Sequence, residues 1–170
     1  MGKPKNKKIE INVEIVTREE WGALPPTKTL KLLKTPVKYI RYSFTKTEEN
    51  NCLSLESCSK DLKTFQIDLM NEEYPDLPYN FLIGKDGRVY EGRGWYLEVE
   101  KHRSYKELRR KCLDITFMGQ FSNSSPTNEM FEVAANLVLL GIDLKLIKEF
   151  PRVETLNDFR DYCYFEDQTR

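Results

Sequence analysis

The chain has 170 residues, enough for one domain with a sizeable core, and its 27 basic and 27 acidic residues give a formal net charge of zero. That balance excludes an overall pull toward nucleic acid or an anionic membrane, and no apolar run approaches the roughly 18 residues needed to span a bilayer. The 39% hydrophobic and 32% charged residues fit a soluble globular domain with a densely charged surface.

The opening "MGKPKNKK" holds four lysines and nothing apolar after Met1. Residues 1–8 read as a linker ahead of a domain spanning 9–170, with a polybasic lipid-binding tail as the sharper alternative. No signal-like apolar stretch stands there. "VKYIRYSF" (Val37–Phe44) follows a proline and mixes β-branched and aromatic residues, which predicts a strand. A helix follows the cysteines of "CLSLESC", with Cys58, Leu62, Phe65 and Leu69 on one apolar stripe. "EEYPDLP" then stops that helix.

"YNFLIGKDGRVYEGRGW" (Tyr79–Trp95) predicts a hairpin, Asn80–Gly84 and Arg88–Glu91, turning at Asp86-Gly87. "CLDITFMGQF" (Cys112–Phe121) alternates as a half-buried strand does. A second helix runs from Asn128 to about Leu140, with Thr127 as N-cap, Gly141 as stop, and Met130, Val133, Ala134, Leu137 and Val138 facing the core. The acidic, aromatic stretch from Glu149 onward carries no legible secondary structure. This order predicts a single α/β domain, a mixed central sheet flanked by helices.

Chemistry is harder to find. The one histidine, His102, lies among cations in "KHRSYKELRRK" and reads as a solvated loop residue. The run Lys101–Lys111 has six basic residues and one glutamate but lacks the interleaved aromatics of a nucleic-acid surface. No phosphate-binding loop occurs. The four cysteines, Cys52, Cys58, Cys112 and Cys163, permit three disulfide pairings and show no zinc-type or redox-type CxxC spacing. "NSS" at Asn123 is a glycosylation acceptor sequence. On its residues alone the chain is a domain without a visible active site, most simply a binding module.

Larger motifs carry a resemblance. "VTREEWGA" (Val16–Ala23), "CLSLESC", "DLPYNFLIGKDGRVYEGRGW" and "ITFMGQF…SPT" occur in the order seen in the peptidoglycan recognition proteins, and the resemblance covers Val13 to Ile147. It implies the fold of the phage-type zinc amidases and a disulfide between Cys52 and Cys58. Amidases of the family hold zinc with two histidines and a cysteine beside a tyrosine. Here the family's "HHT" triplet is "SFT", so Ser43 replaces the first histidine, while the tyrosine is kept as Tyr79 after Pro78. Thr155 stands near the place of a family histidine and Cys163 falls at the place of the cysteine. Cys163 pairs with Cys112 or remains a buried thiol. The resemblance therefore implies no catalytic residue, no zinc and no other cofactor, because a lone thiolate does not hold a catalytic metal.

The family's ligand groove is implied to be degenerate, lined by Phe44, Thr45, Tyr79, Tyr96, Leu97, Glu98, Val99, Glu100, Lys101 and His102. Bulk and negative charge there oppose an anionic wall fragment. The implied role is a non-catalytic module of innate immunity that contacts another receptor ectodomain of the family as a negative regulator or decoy. Peptidoglycan binding is then weak or absent, and nucleic acid is no partner. The alternative is a non-catalytic receptor that still captures wall fragments. The basic stretch before "EIVTREEW" is similar to that of membrane-anchored insect members of the LF regulatory type, implying an extracellular ectodomain.

Overall fold

The computed structural model describes residues 11–45, 52–99, 109–121 and 123–154. The expected linker over 1–8 and both ends of the expected domain lie outside the described residues.

Strand β1 (Ile15–Val16) leads into a one-turn helix, α1 (Arg18–Trp21). Thr17 Oγ1 accepts from the Glu20 amide at 3.3 Å, and Glu20 Oε2 accepts from the Thr17 amide at 2.7 Å. This reciprocal cap satisfies two amides that a helix start leaves open, and Gly22 at φ 79° closes the turn. The expected strand forms as β2 (Val37–Phe44). Helix α2 (Leu55–Asn71) starts at the Ser54 cap, ahead of Cys58, so the Cys52–Cys58 disulfide ties the incoming chain to its first turn. Cys58 and Leu62 are buried, with Phe65 and Leu69 packed beside them, as the stripe predicts.

The hairpin forms as β3 (Phe81–Ile83) and β4 (Val89–Glu91), with Gly87 at φ 77° in the turn. Strand β5 (Cys112–Phe117) ends before Phe121, because Gly119 at φ 143° turns the chain out of the extended region. Helix α3 (Asn128–Asp143) is capped by Thr127, whose Oγ1 accepts from Met130 N at 3.2 Å. It does not stop at Gly141. That glycine is buried inside the helix, where an added Cβ would stand 2.8 Å from Trp95 Cζ3, so it is there for close packing. The stretch without legible structure supplies a strand, β6 (Ile147–Glu154).

These strands make one mixed sheet in the order β1-β4-β3-β5-β2-β6, antiparallel only between β3 and β4. Helix α3 covers one face. There Ile40, Phe81, Ile83, Leu113, Ile115 and Phe117 meet Met130, Ala134 and Leu137. Helix α2 covers part of the other face, over Leu82, Tyr90 and Met118.

The signature around α1 is structural. Trp21 Nε1 donates to Glu91 O at 2.8 Å and Arg18 Nη1 donates to Gly92 O at 2.7 Å, fastening the hairpin exit. Arg18 also pairs with the buried Asp76 carboxylate at 2.9 Å. The hairpin is thereby held at both ends, since Asp86 in its turn accepts from Tyr90 Oη at 2.6 Å and from Arg88 N at 3.2 Å.

Candidate functional site

Register decides which side chains share the second face. Ser43 is the partner of Thr116 and Arg41 of Asp114, while Leu82 is the partner of Thr116 from the other side. Directly paired residues project to the same side of a sheet, so Arg41, Ser43, Asp114 and Thr116 extend the Leu82 face beyond the cover of α2. This polar row is the floor of the candidate site.

The floor is buried. Ser43 is 2% exposed and Thr116 0%, and neither hydroxyl has a hydrogen-bond partner among the described residues. Arg41 Nε donates to Asp114 Oδ1 at 2.5 Å, and Arg41 Nη2 forms an ion pair with the same carboxylate oxygen. The Asp114 amide donates to Asn80 Oδ1 at 2.8 Å, joining this pair to the hairpin. Thr45 is buried at the end of β2, where its Oγ1 accepts from the Gly119 amide at 2.9 Å. Tyr79 is buried too, its ring stacked on Phe65 at 6.2 Å.

Phe44 stands elsewhere than expected. Its register partner is Phe117, and it packs on Phe117 and Phe121 at 6.2 and 5.0 Å on the α3 side. Its bulk fills the core and does not narrow the floor, because neighbouring residues of a strand project to opposite faces.

The expected wall is stitched down. The Leu33 amide donates to Tyr96 O, Leu97 pairs with Leu32, and the Glu98 amide donates to Lys31 O at 2.8 Å. Asn80 Nδ2 reaches Leu97 O at 2.7 Å and Arg93 Nη1 reaches Glu98 O at 2.8 Å. Glu98 and Val99 are buried, so Glu98 presents no open negative charge, contrary to the repulsive wall read from sequence. Tyr96 is exposed, and Leu97 borders a shallow cleft with Pro26 to Leu30. Glu100, Lys101, His102, Thr155 and Cys163 lie outside the described residues, and with them the expected Cys112–Cys163 pairing. Cys112 is buried at the start of β5, and Asn123 is exposed ahead of α3.

Among the described residues of the floor the one carboxylate, Asp114, is already held by Arg41. Ser43 offers a neutral hydroxyl, and Thr45 Oγ1 already accepts a backbone bond. Among the described residues no three His, Cys, Asp or Glu side chains come together as a ligand set. Sequence reasoning did not include Arg41, Asp114 and Thr116. Arg41 and Asp114 lie 73 residues apart, and only the β2–β5 register joins them.

The family model for N-acetylmuramoyl-L-alanine amidase matches residues 33–153. Peptidoglycan recognition protein 1 of Mus musculus is 37% identical over 155 residues, covering 91% of this chain and 82% of its own. The peptidoglycan recognition protein of Trichoplusia ni is 32% identical over 132 residues, 76% of this chain and 68% of its own. Among solved structures, the ectodomain of the Drosophila transmembrane receptor PGRP-LCa superposes with a TM-score of 0.76 at 30% identity, covering 82% of this chain and 83% of its own. A complex of the PGRP-LCa and PGRP-LCx ectodomains with tracheal cytotoxin contains a chain with a TM-score of 0.76 at 32% identity, covering 83% and 82%.

Proposed function

The chain belongs to the peptidoglycan recognition proteins, and from that premise we propose that it is a non-catalytic member acting through contact with another ectodomain of the family, as a negative regulator or decoy. One observation carries this reading: Ser43, which the motif resemblance sets at the place of the family's first zinc histidine, is buried on a floor with little open surface. The zinc route of the family's amidases runs through a metal-activated water, and a neutral serine hydroxyl does not replace an imidazole ligand. A domain that keeps its scaffold while its groove closes retains its outer surfaces for partners. The similarity to one ectodomain in a two-receptor complex points to the class of partner. An extracellular, membrane-anchored ectodomain glycosylated at the exposed Asn123 completes the reading.

A second reading has its own support. The Ser43 and Thr116 hydroxyls are buried without partners among the described residues, and a wall fragment that displaced their cover would satisfy them. This role is a non-catalytic receptor for peptidoglycan.

Calorimetric titration with a monomeric muropeptide, with and without zinc, separates the two. The first reading expects no heat from muropeptide and saturable association with a PGRP-LCa-type ectodomain. Saturable muropeptide binding without turnover favours the second. Zinc-dependent release of the stem peptide would overturn both.

A further inference from the structure

Zero net charge conceals a local cluster of cations. The three parallel strands β5, β2 and β6 start at one end of the sheet, and cations gather around those starts. The Lys34 amide donates to Arg110 O at 2.6 Å, and the Lys38 amide to Lys111 O at 2.9 Å. On the other side of β2, Val37 is the register partner of Ile147 and its amide donates to Leu146 O at 2.9 Å, bringing Lys145 and Lys148 to the same end. Lys34, Lys38, Arg110, Lys145 and Lys148 are exposed, and none has an ion-pair or hydrogen-bond partner for its side chain among the described residues. The acids within these stretches are Asp143 and Glu149. Other acids collect on the helices, with Glu19 and Glu20 on α1 and Asp68, Glu72 and Glu73 at the end of α2.

The same end carries protruding apolar side chains. Ile147 pairs with Val37 but Arg152 pairs with Tyr39, so Lys148 to Pro151 bulge away from β2 and leave Phe150 94% exposed. Leu32, just ahead of Lys34, is 70% exposed, and Leu144, beside Lys145, is exposed as well. A soluble polyanion would use the lysines and gain nothing from Phe150 or Leu32. A bilayer interface uses both, with anionic headgroups for the cations and the acyl boundary for the apolar tips.

We infer that this end of the sheet, with Phe150 and Leu32 at its tips, docks on an anionic phospholipid surface. The domain then lies with the starts of β5, β2 and β6 toward the bilayer, leaving the far strand ends, where Ser43 and Thr45 sit, directed away from it. Binding is peripheral and reversible, and it weakens as salt screens the cations.

The test is co-sedimentation of the full chain with vesicles of pure phosphatidylcholine and of mixed phosphatidylcholine and phosphatidylserine. Binding is expected only to the mixed vesicles. Lys38→Gln and Lys148→Gln should each weaken it about fivefold, and Phe150→Ser about tenfold. Lys60→Gln on α2 should leave it unchanged, and circular dichroism of each variant checks that the fold is kept. Equal binding to both vesicle types, or binding to neither, overturns the inference. So does binding that Phe150→Ser leaves intact while heparin competes it away, since that pattern assigns the end to a soluble polyanion.

Discussion

Arg41 and Asp114 are register partners on β2 and β5, and their side chains meet inside the protein with Nε 2.5 Å from Oδ1. Both are buried, so the carboxylate compensates a guanidinium that has left water. Removing one partner is worse than removing both. Asp114→Ala should destabilise the domain by about 3–5 kcal/mol because the buried cation remains. Arg41→Met combined with Asp114→Leu should cost clearly less than the sum of the single changes. Denaturant unfolding of the two single variants and the double variant measures this coupling; additive losses would show that the pair is not a unit.

Ser43 and Thr116 sit one row along from that pair, and their hydroxyls, unpartnered among the described residues, cost stability. A buried hydroxyl without a partner costs about 1–3 kcal/mol, so replacing it by an apolar group of similar shape removes a penalty. Thr116→Val is therefore expected to raise stability by about 1 kcal/mol, and Ser43→Ala to be neutral or slightly stabilising. Under the peptidoglycan-binding reading, the same variants would lose muropeptide affinity while gaining stability. Thermal unfolding with and without muropeptide reads both effects.

Gly141 answers to Trp95 and Ile147, and a Cβ there overlaps both. Gly141→Ala raises helix propensity, yet it must push Trp95 off Phe81, whose ring centroid is 4.6 Å away. Overpacking of this kind costs about 1–3 kcal/mol, more than the roughly 1 kcal/mol gained in propensity. A net loss of stability with reduced near-ultraviolet dichroism of Trp95 is expected. A stabilised variant would mean that the helix end moves freely.

The same glycine marks where sequence reading stops. Val37–Phe44, the hairpin and the Thr127 cap were legible because their signals are local: β-branched runs, Asp-Gly, and a hydroxyl ahead of an apolar period. Gly141 looks like a helix stop unless one knows that Trp95 lies against it. Strand β6 was illegible because "IKEFPRVE" has no clean alternation and Pro151 interrupts it; the strand pairs with β2 only on either side of a bulge. The orientation of Phe44 needed the β5 register. The Lys38 and Tyr39 amides both donate to Lys111 O, a local irregularity that shifts the alternation of β2. Of the candidate site, Ser43, Thr45 and Tyr79 came from motif position. Arg41, Asp114 and Thr116 come from strand pairing alone.

The Cys52–Cys58 disulfide closes a short loop, with a sequence separation of 6, at the first turn of α2. Chain entropy for so short a loop gives roughly 2 kcal/mol of stabilisation, at the lower end for disulfides. Both cysteines are buried in the cluster that holds Leu62 and Leu82, so the pair also packs. Replacing both cysteines by alanine should lower the urea midpoint by that amount plus a small cavity cost, and reducing agent should then have no further effect on this variant. A further loss on reduction would reveal a second disulfide involving Cys112 or Cys163.

Tyr90 gives the domain an alkaline limit. Its ring is buried and its hydroxyl donates to Asp86, so burial first, and then the hydrogen bond to that carboxylate, push its pKa well above the ordinary 10.0. Burial pushes Tyr42 the same way. The unfolded chain ionises these phenols near their ordinary value while the folded chain keeps them neutral. Stability from this source is therefore fully present below pH 10 and is lost as pH rises beyond it, by up to about 1.4 kcal/mol per pH unit for each such group. Tyr90→Phe should cost about 1–2 kcal/mol at neutral pH, since Asp86 loses a donor while keeping Arg88 Nη1 at 3.1 Å. Above pH 10 its stability should fall less steeply than that of the parent chain, and the two curves should converge. Urea unfolding across that range measures both slopes; parallel curves would mean that Tyr90 ionises in the folded state as readily as in the unfolded one.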